Sequence, residues 1–139
     1  MPEIQWVERK PTAAELAELR LAVGWGQSDL AAFEAGLRHS LYGVCALAEG
    51  KVIGTARIVG DGSTCFYIQD VIVSPAYQRM GVGCAMMDKI MAFIGQKACS
   101  GAVVGLMAAR GKEAFYERFG FWKRPNENFG PGMMQFWGS

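Results

Sequence analysis

Apolar positions recur along this chain in two periods, and the switches between them mark its elements. Residues 4–8 alternate as a short first strand, which Pro11-Thr12 ends. Thr12-Ala13-Ala14-Glu15 has capping-box spacing, in which the threonine hydroxyl takes the Glu15 N–H and the Glu15 side chain reaches back. A helix follows to Val23, with Leu16, Leu19 and Val23 on one face. Gly24-Trp25-Gly26-Gln27 breaks it, and Ser28 is placed to cap a second helix with Leu30, Phe33 and Leu37 facing inward. Residues 42–48 and 52–59 read as two strands joined by Glu49-Gly50-Lys51, a hairpin signal. Arg57, in the middle of the second, is expected at the solvent face, with a sheet-facing position as its alternative. Gly60-Asp61-Gly62-Ser63 turns the chain into a further strand over 64–73, so the pattern predicts an antiparallel meander.

The stretch from Asp70 to Ile94 carries the chemistry. Asp70-Val71-Ile72-Val73 is a β-branched run that Ser74-Pro75 stops. Gln78-Arg79-Met80-Gly81-Val82-Gly83 leads into a helix whose apolar residues Val82, Met86, Ile90, Phe93 and Ile94 share a face. The first N–H groups of such a helix lack intrahelical partners, and its dipole adds partial positive charge. Gly81 and Gly83 carry no Cβ, so an anion such as a pyrophosphate can approach the backbone there, with Arg79 adding a charge-assisted contact. The competing reading is a turn that needs glycine for tightness alone. No Gly-Lys-Ser/Thr follows, and Met86 stands where a dinucleotide fingerprint has its third glycine. After a loop at 98–101, residues 102–108 read as a buried strand and 110–118 as a short helix.

Gln78-Arg79-Met80-Gly81-Val82-Gly83 resembles the Gln/Arg-x-x-Gly-x-Gly/Ala signature of the GNAT superfamily of acetyl-CoA-dependent N-acetyltransferases. Ala114-Phe115-Tyr116-Glu117-Arg118-Phe119-Gly120-Phe121 resembles the family's second block, a short helix with a tyrosine before a last strand. With the strand pattern around them, the resemblance extends over nearly all of residues 1–139, read as one domain. It implies an α/β (α+β) fold: a mixed, mostly antiparallel sheet with a splayed parallel strand pair, flanked by helices. It implies acetyl-CoA as co-substrate, with its pantetheine arm pairing to the backbone of Val71, Ile72 and Val73 as a pseudo-strand would. Its phosphates then meet Gln78, Arg79, Met80, Gly81, Val82, Gly83 and Cys84. Many members carry an asparagine near the end of the strand after the long helix. Here Met107-Ala108-Ala109-Arg110 has none, and Arg110 stands in as a phosphate contact.

The resemblance also assigns chemistry. Acetyl transfer to an amine needs a neutral nucleophile, a polarised thioester carbonyl and a proton for the thiolate. Tyr116 matches the tyrosine near the thioester sulfur and is the candidate acid; the alternative is packing with Phe115 and Phe119. A backbone N–H near Val71 can polarise the carbonyl. Asp70 is the candidate base, with ammonium binding or structural pairing as its alternatives. Trp25, Asp29, Phe33 and Glu34 stand where the family walls its acceptor site, and Phe129 joins them from a C-terminal hairpin expected over 121–137. Trp25, Tyr42, Trp122, Phe129 and Trp137 would make the cleft aromatic if several face inward, which favours an aryl-alkyl amine over a polyanionic acceptor. Glu127 is a further ammonium candidate, and the single histidine, His39, reads as a helix-end residue.

The leading expectation is therefore an acetyltransferase acting on a primary amine of a small molecule, an aryl-alkyl amine or a polyamine. A protein lysine or N-terminus is the second acceptor class. An acetyl-CoA-binding sensor that transfers nothing is the alternative from outside enzymology. Composition narrows the partners further. A formal net charge of +1 gives no footprint for nucleic acid. No apolar run is long enough to span a bilayer, and MPEIQWVERKP has no signal-peptide core. Cys45, Cys65, Cys84 and Cys99 lack metal-ligand spacing, so the expectation is reduced thiols, no metal and a cytoplasmic protein. A homodimer through terminal strands is compatible with the resemblance.

Overall fold

The computed structural model describes residues 2–26 and 29–138. The chain divides into two compact units, 1–107 and 108–139. The first is built as β1 (Ile4–Val7), α1 (Ala13–Ala22), α2 (Leu30–Arg38), β2 (Tyr42–Ala48), β3 (Lys51–Gly60), β4 (Cys65–Val73), α3 (Val82–Lys97) and β5 (Val103–Leu106). Its sheet runs in the order β1-β2-β3-β4-β5, antiparallel throughout except for the parallel pair β4-β5. The mixed sheet with one parallel pair is the expected architecture.

Helices cover both faces of the sheet. On one, Ala13, Leu16 and Leu19 of α1 and Leu37 of α2 pack with Cys45, Val52 and Ile72. On the other, α3 buries Val82, Met86, Met87, Ile90 and Ile94, and Phe93 stacks on Tyr42 with ring centroids 4.6 Å apart. The α1 capping box forms as the sequence predicts: Glu15 N–H donates to Thr12 Oγ1 at 3.1 Å, and Thr12 N–H donates to Glu15 Oε1 at 2.8 Å. Arg9 then grips the same carboxylate with two bonds of 2.9 and 3.2 Å, and this hydrogen bonding holds the Glu15 carboxyl below its ordinary pKa. Thr12→Ala is expected to cost about 1 kcal/mol, read as a fall of about 3–4 °C in Tm with unchanged far-ultraviolet circular dichroism.

Several expectations change. The proposed cap Ser28 lies outside the described residues; Asp29 caps α2, its carboxylate accepting from Ala32 N–H at 3.1 Å. Leu30 is exposed, because the first turn of α2 extends past the core that Leu37 enters. The strand read as buried over 102–108 is an edge strand of four residues, with Val103 exposed, since only β4 flanks it.

The second unit contains α4 (Glu113–Glu117), shorter than the helix expected over 110–118 because Gly111 at φ +84° breaks the chain before it. Phe115 packs edge-on against Tyr116 and Phe119, and Tyr116 against Phe121. The hairpin expected over 121–137 is not a hairpin: the described residues after α4 form no strand. Pro125 and Pro131 lack ladder donors, and the Asn126 side chain takes the N–H groups of Asn128 and Phe129, closing a local loop instead.

Candidate active site

The site grows from an irregularity in β4. Ile58 of β3 stands opposite Ile68, and Arg57 opposite Gln69, but Thr55 stands opposite Ile72. One residue of β3, Ala56, therefore faces two of β4, Asp70 and Val71. This is a β-bulge, at which Asp70 adopts a left-handed φ of +56°. The extra residue reverses the strand's facing. Ile58, and Ile68 across from it, share the α3 face with Tyr42; Ile72 enters the α1–α2 core. Phe66, Ile68, Asp70 and Ile72 are all buried, yet they divide between the two sides of the sheet.

The bulge also marks where β4 loses its outer neighbour. β5 pairs with Cys65 to Ile68 and no further, so no strand covers the outer edge of 69–73 among the described residues. Ser74 N–H donates to Ile53 O across the ladder. By alternation Ile72 turns its backbone groups to β3, and Val71 and Val73 turn theirs to the open edge. Gln78 Nε2 donates to the Val73 carbonyl at 2.9 Å, which ties the following turn back to the strand. The Val71 N–H and C=O and the Val73 N–H remain along that edge for an extended ligand.

The turn then rises into α3. A single 3₁₀ turn, Pro75–Tyr77, follows Ser74. Arg79 and Gly81 take left-handed backbone at φ +64° and +81°, and a Cβ placed on Gly81 would meet open space. The first intrahelical bond is Ala85 N–H to Gly81 O, so the Val82 and Gly83 N–H groups point out of the helix start. Arg79 and Met80 are exposed beside them, and Cys84 is half-buried in the first turn. Glycine at 81 thus serves the turn, and the open space above it also admits an anion.

Asp70 is not an available base. Its carboxylate is 2% exposed and both oxygens are engaged: Arg20 Nη1 donates to Oδ1 at 2.7 Å and Arg57 Nε to Oδ2 at 2.9 Å. Arg57 Nη1 also donates to Ser40 Oγ at 3.0 Å, and Ser40 Oγ donates to Gly36 O. Arg57, expected at the solvent face, is turned inward to this cluster because the bulge places Asp70 beside it. Trp25 and Phe33 lie over the Arg20 guanidinium, with its central carbon 5.4 and 5.3 Å from their ring centroids.

The other site candidates separate. Asp29 is spent on its helix cap. Glu34 lines a shallow depression of about 450 Å³ with Lys10, Thr12 and Arg38. Tyr42 packs on α3, across the sheet from Trp25, so these two do not share a cleft. In the second unit, burial pushes the Tyr116 phenol above its ordinary pKa. Arg110 is exposed, and Trp122 packs against Phe129 at 5.0 Å in a depression that Glu127 also lines. His39 is the C-cap of α2. Among the described residues no cluster could hold a metal ion, and no helix is long and apolar enough to cross a membrane.

The sequence reading did not include Arg20, which pairs with Asp70, or Tyr67, which feels its charge. Arg20 had a signal: it falls four residues after Leu16, within the apolar stripe of α1. Tyr67 had none. Burial, with the negative charge of Asp70 behind it, holds its phenol above the ordinary pKa.

The parallel β4–β5 pair, the bulge and the glycine turn before α3 define a class that comparison with known proteins identifies. The Acetyltransferase (GNAT) family model matches residues 6–121, and the chain belongs to that family. It is 28% identical over 116 residues to ycf52 of Porphyra purpurea, named an uncharacterized N-acetyltransferase, covering 81% of this chain and 66% of that one. It is 29% identical over 115 residues to a chloroplastic serotonin N-acetyltransferase 2 of Oryza sativa, covering 80% of this chain and 56% of that one. The chain thus spans about two thirds of the first relative and just over half of the second. A solved GNAT-family acetyltransferase from Streptococcus pneumoniae superposes with a TM-score of 0.80 at 29% identity, over 96% of this chain and 98% of that one.

Proposed function

We propose that this protein is an acetyl-CoA-dependent N-acetyltransferase whose acceptor is the primary amine of a small molecule. The observation that carries the reading is the uncovered edge of β4 past its bulge, which leads directly into the glycine turn at the start of α3. The residues fit the co-substrate. Val71 and Val73 offer backbone groups to an extended pantetheine arm, and the Val82 and Gly83 N–H groups with Arg79 offer positive potential to its phosphates. Arg110 is a further phosphate contact in this reading. When bound, acetyl-CoA supplies an activated acyl group on a thiol leaving group.

The chain's own residues do the rest. The Val71 N–H polarises a carbonyl laid along the edge. Tyr116 donates the proton that the departing thiolate needs, and its raised pKa keeps it protonated throughout the physiological range. Asp70 is a positioning residue: ion-paired on both oxygens, it holds the bulge that aims Val71 outward. With no unpaired carboxylate at the bulge, the acceptor enters as its neutral fraction. The rate is then expected to rise with pH through the acceptor's own pKa.

The test is free-thiol release from acetyl-CoA against aryl-alkyl amines, polyamines, amino acids and lysine peptides, with acetylated product identified by mass spectrometry. Amine-dependent release with a matching small-molecule product is expected. Product from peptides alone would give the protein-acetyltransferase reading. Tight binding of acetyl-CoA with no product from any acceptor would make the domain a sensor.

A further inference from the structure

We propose that Arg20 and Arg57 form an anion-binding subsite for the acceptor, and that the acceptor is an amine that itself carries a carboxylate. The inference rests on the transferase reading for its location, because the cluster borders the bulge at which the open edge of β4 begins.

Charge is the first ground. Two guanidinium groups meet one carboxylate. The cluster keeps a net positive charge, and its only acid has both oxygens occupied. Nothing in it can receive an ammonium group. Asp29 is held by its helix cap and Glu34 lies on another surface, so neither restores the balance. A polyamine would meet repulsion here.

Unused donors are the second ground. Asp70 takes only Nη1 of Arg20 and only Nε of Arg57, and Ser40 takes Nη1 of Arg57. Arg20 Nε is buried with no hydrogen-bond partner, and among the described residues no hydrogen bond engages Nη2 of either arginine. The side chains are 22% and 15% exposed; Arg20 Nε is closed to solvent, and the reachable free donors are the Nη2 groups. An incoming carboxylate can take those Nη2 donors in charge-assisted bonds.

Orientation is the third. The Arg20 guanidinium carbon lies over the rings of Trp25 and Phe33, 5.4 and 5.3 Å from their centroids, and these contacts restrict the side chain without using its N–H donors. A planar fork held in this way suits the two coplanar oxygens of a carboxylate better than a tetrahedral phosphate. Trp25 is 40% exposed and supplies an apolar contact for the rest of the acceptor.

The experiment compares amino acids with their decarboxylated partners: phenylalanine with phenethylamine, and lysine with cadaverine. O-phosphoethanolamine is the phosphate arm. In the wild type, kcat/KM is expected to favour the carboxylate member by about tenfold to a hundredfold. Arg20→Gln keeps Asp70 paired to Arg57 and is expected to abolish that preference, the added loss falling on KM for the carboxylate member. Calorimetric titration of the same pairs into the CoA-bound protein reads the preference without turnover. Equal or tighter binding of the decarboxylated member overturns the inference. So does a loss in Arg20→Gln that falls equally on both members, which would make the arginine merely structural. Preference for O-phosphoethanolamine overturns the carboxylate assignment. No product from any amine, with the binding preference intact, overturns the transferase reading and leaves the anion subsite standing.

Discussion

Asp70→Asn is expected to destabilise the protein by about 3 kcal/mol, a fall in Tm of about 10 °C, because it leaves two desolvated guanidinium groups facing each other without a counter-charge. The substitution is nearly isosteric, and asparagine tolerates left-handed backbone as well as aspartate does. The loss therefore reports charge rather than shape or strain. The carboxylate links three elements: Arg20 from α1, Arg57 from β3 and its own bulge in β4. Acetyl transfer by Asp70→Asn is expected to fall as well, since Val71 is aimed by that bulge. Urea denaturation at constant m-value gives the stability change. A Tm within 1–2 °C of wild type would show that the cluster contributes little to the fold.

Tyr116→Phe is expected to lower kcat by roughly 10²–10⁴-fold with KM for the amine nearly unchanged, the loss typical of a proton donor acting only in the transition state. The pH profile sharpens this. Burial raises the phenol pKa above its ordinary value of 10.0, and a proton donor acts in its protonated form. Activity is then lost only as pH rises through that raised value, so the alkaline limb of wild-type kcat lies above pH 10. In the phenylalanine variant that limb disappears. A variant of undiminished kcat would return Tyr116 to the aromatic packing it makes with Phe115 and Phe121.

How far the sequence carried this picture depended on whether the deciding physics was local. The α1 capping box lies in four consecutive residues, and the amphipathic face of α3 repeats within one helix, so both were legible. The glycine turn was legible as a helix start for the same reason. The β4 bulge was not, because it is a mismatch of count between two strands. Phe66, Ile68, Asp70 and Ile72 keep a perfect alternation in sequence while dividing between the faces of the sheet. Asp70 stood as a candidate base on the resemblance alone. Its pairing to Arg20, fifty positions earlier, is a long-range event that no local window contains. Arg57 was misread for the same reason. The C-terminal aromatics illustrate the converse: Phe129 and Trp137 looked like strand residues, but Pro125, Asn126 and Pro131 set the local backbone first.

The central claim is that acetyl-CoA lies along the open edge of β4 and against the start of α3. Backbone amide NMR during titration with acetyl-CoA tests it most directly. The largest shifts, and new protection from solvent exchange, are expected at Val71, Val73, Val82 and Gly83. The Ile72 amide, already turned to β3, is expected to gain no protection. Saturable binding that leaves those four amides unchanged and perturbs another face of the protein would contradict the account.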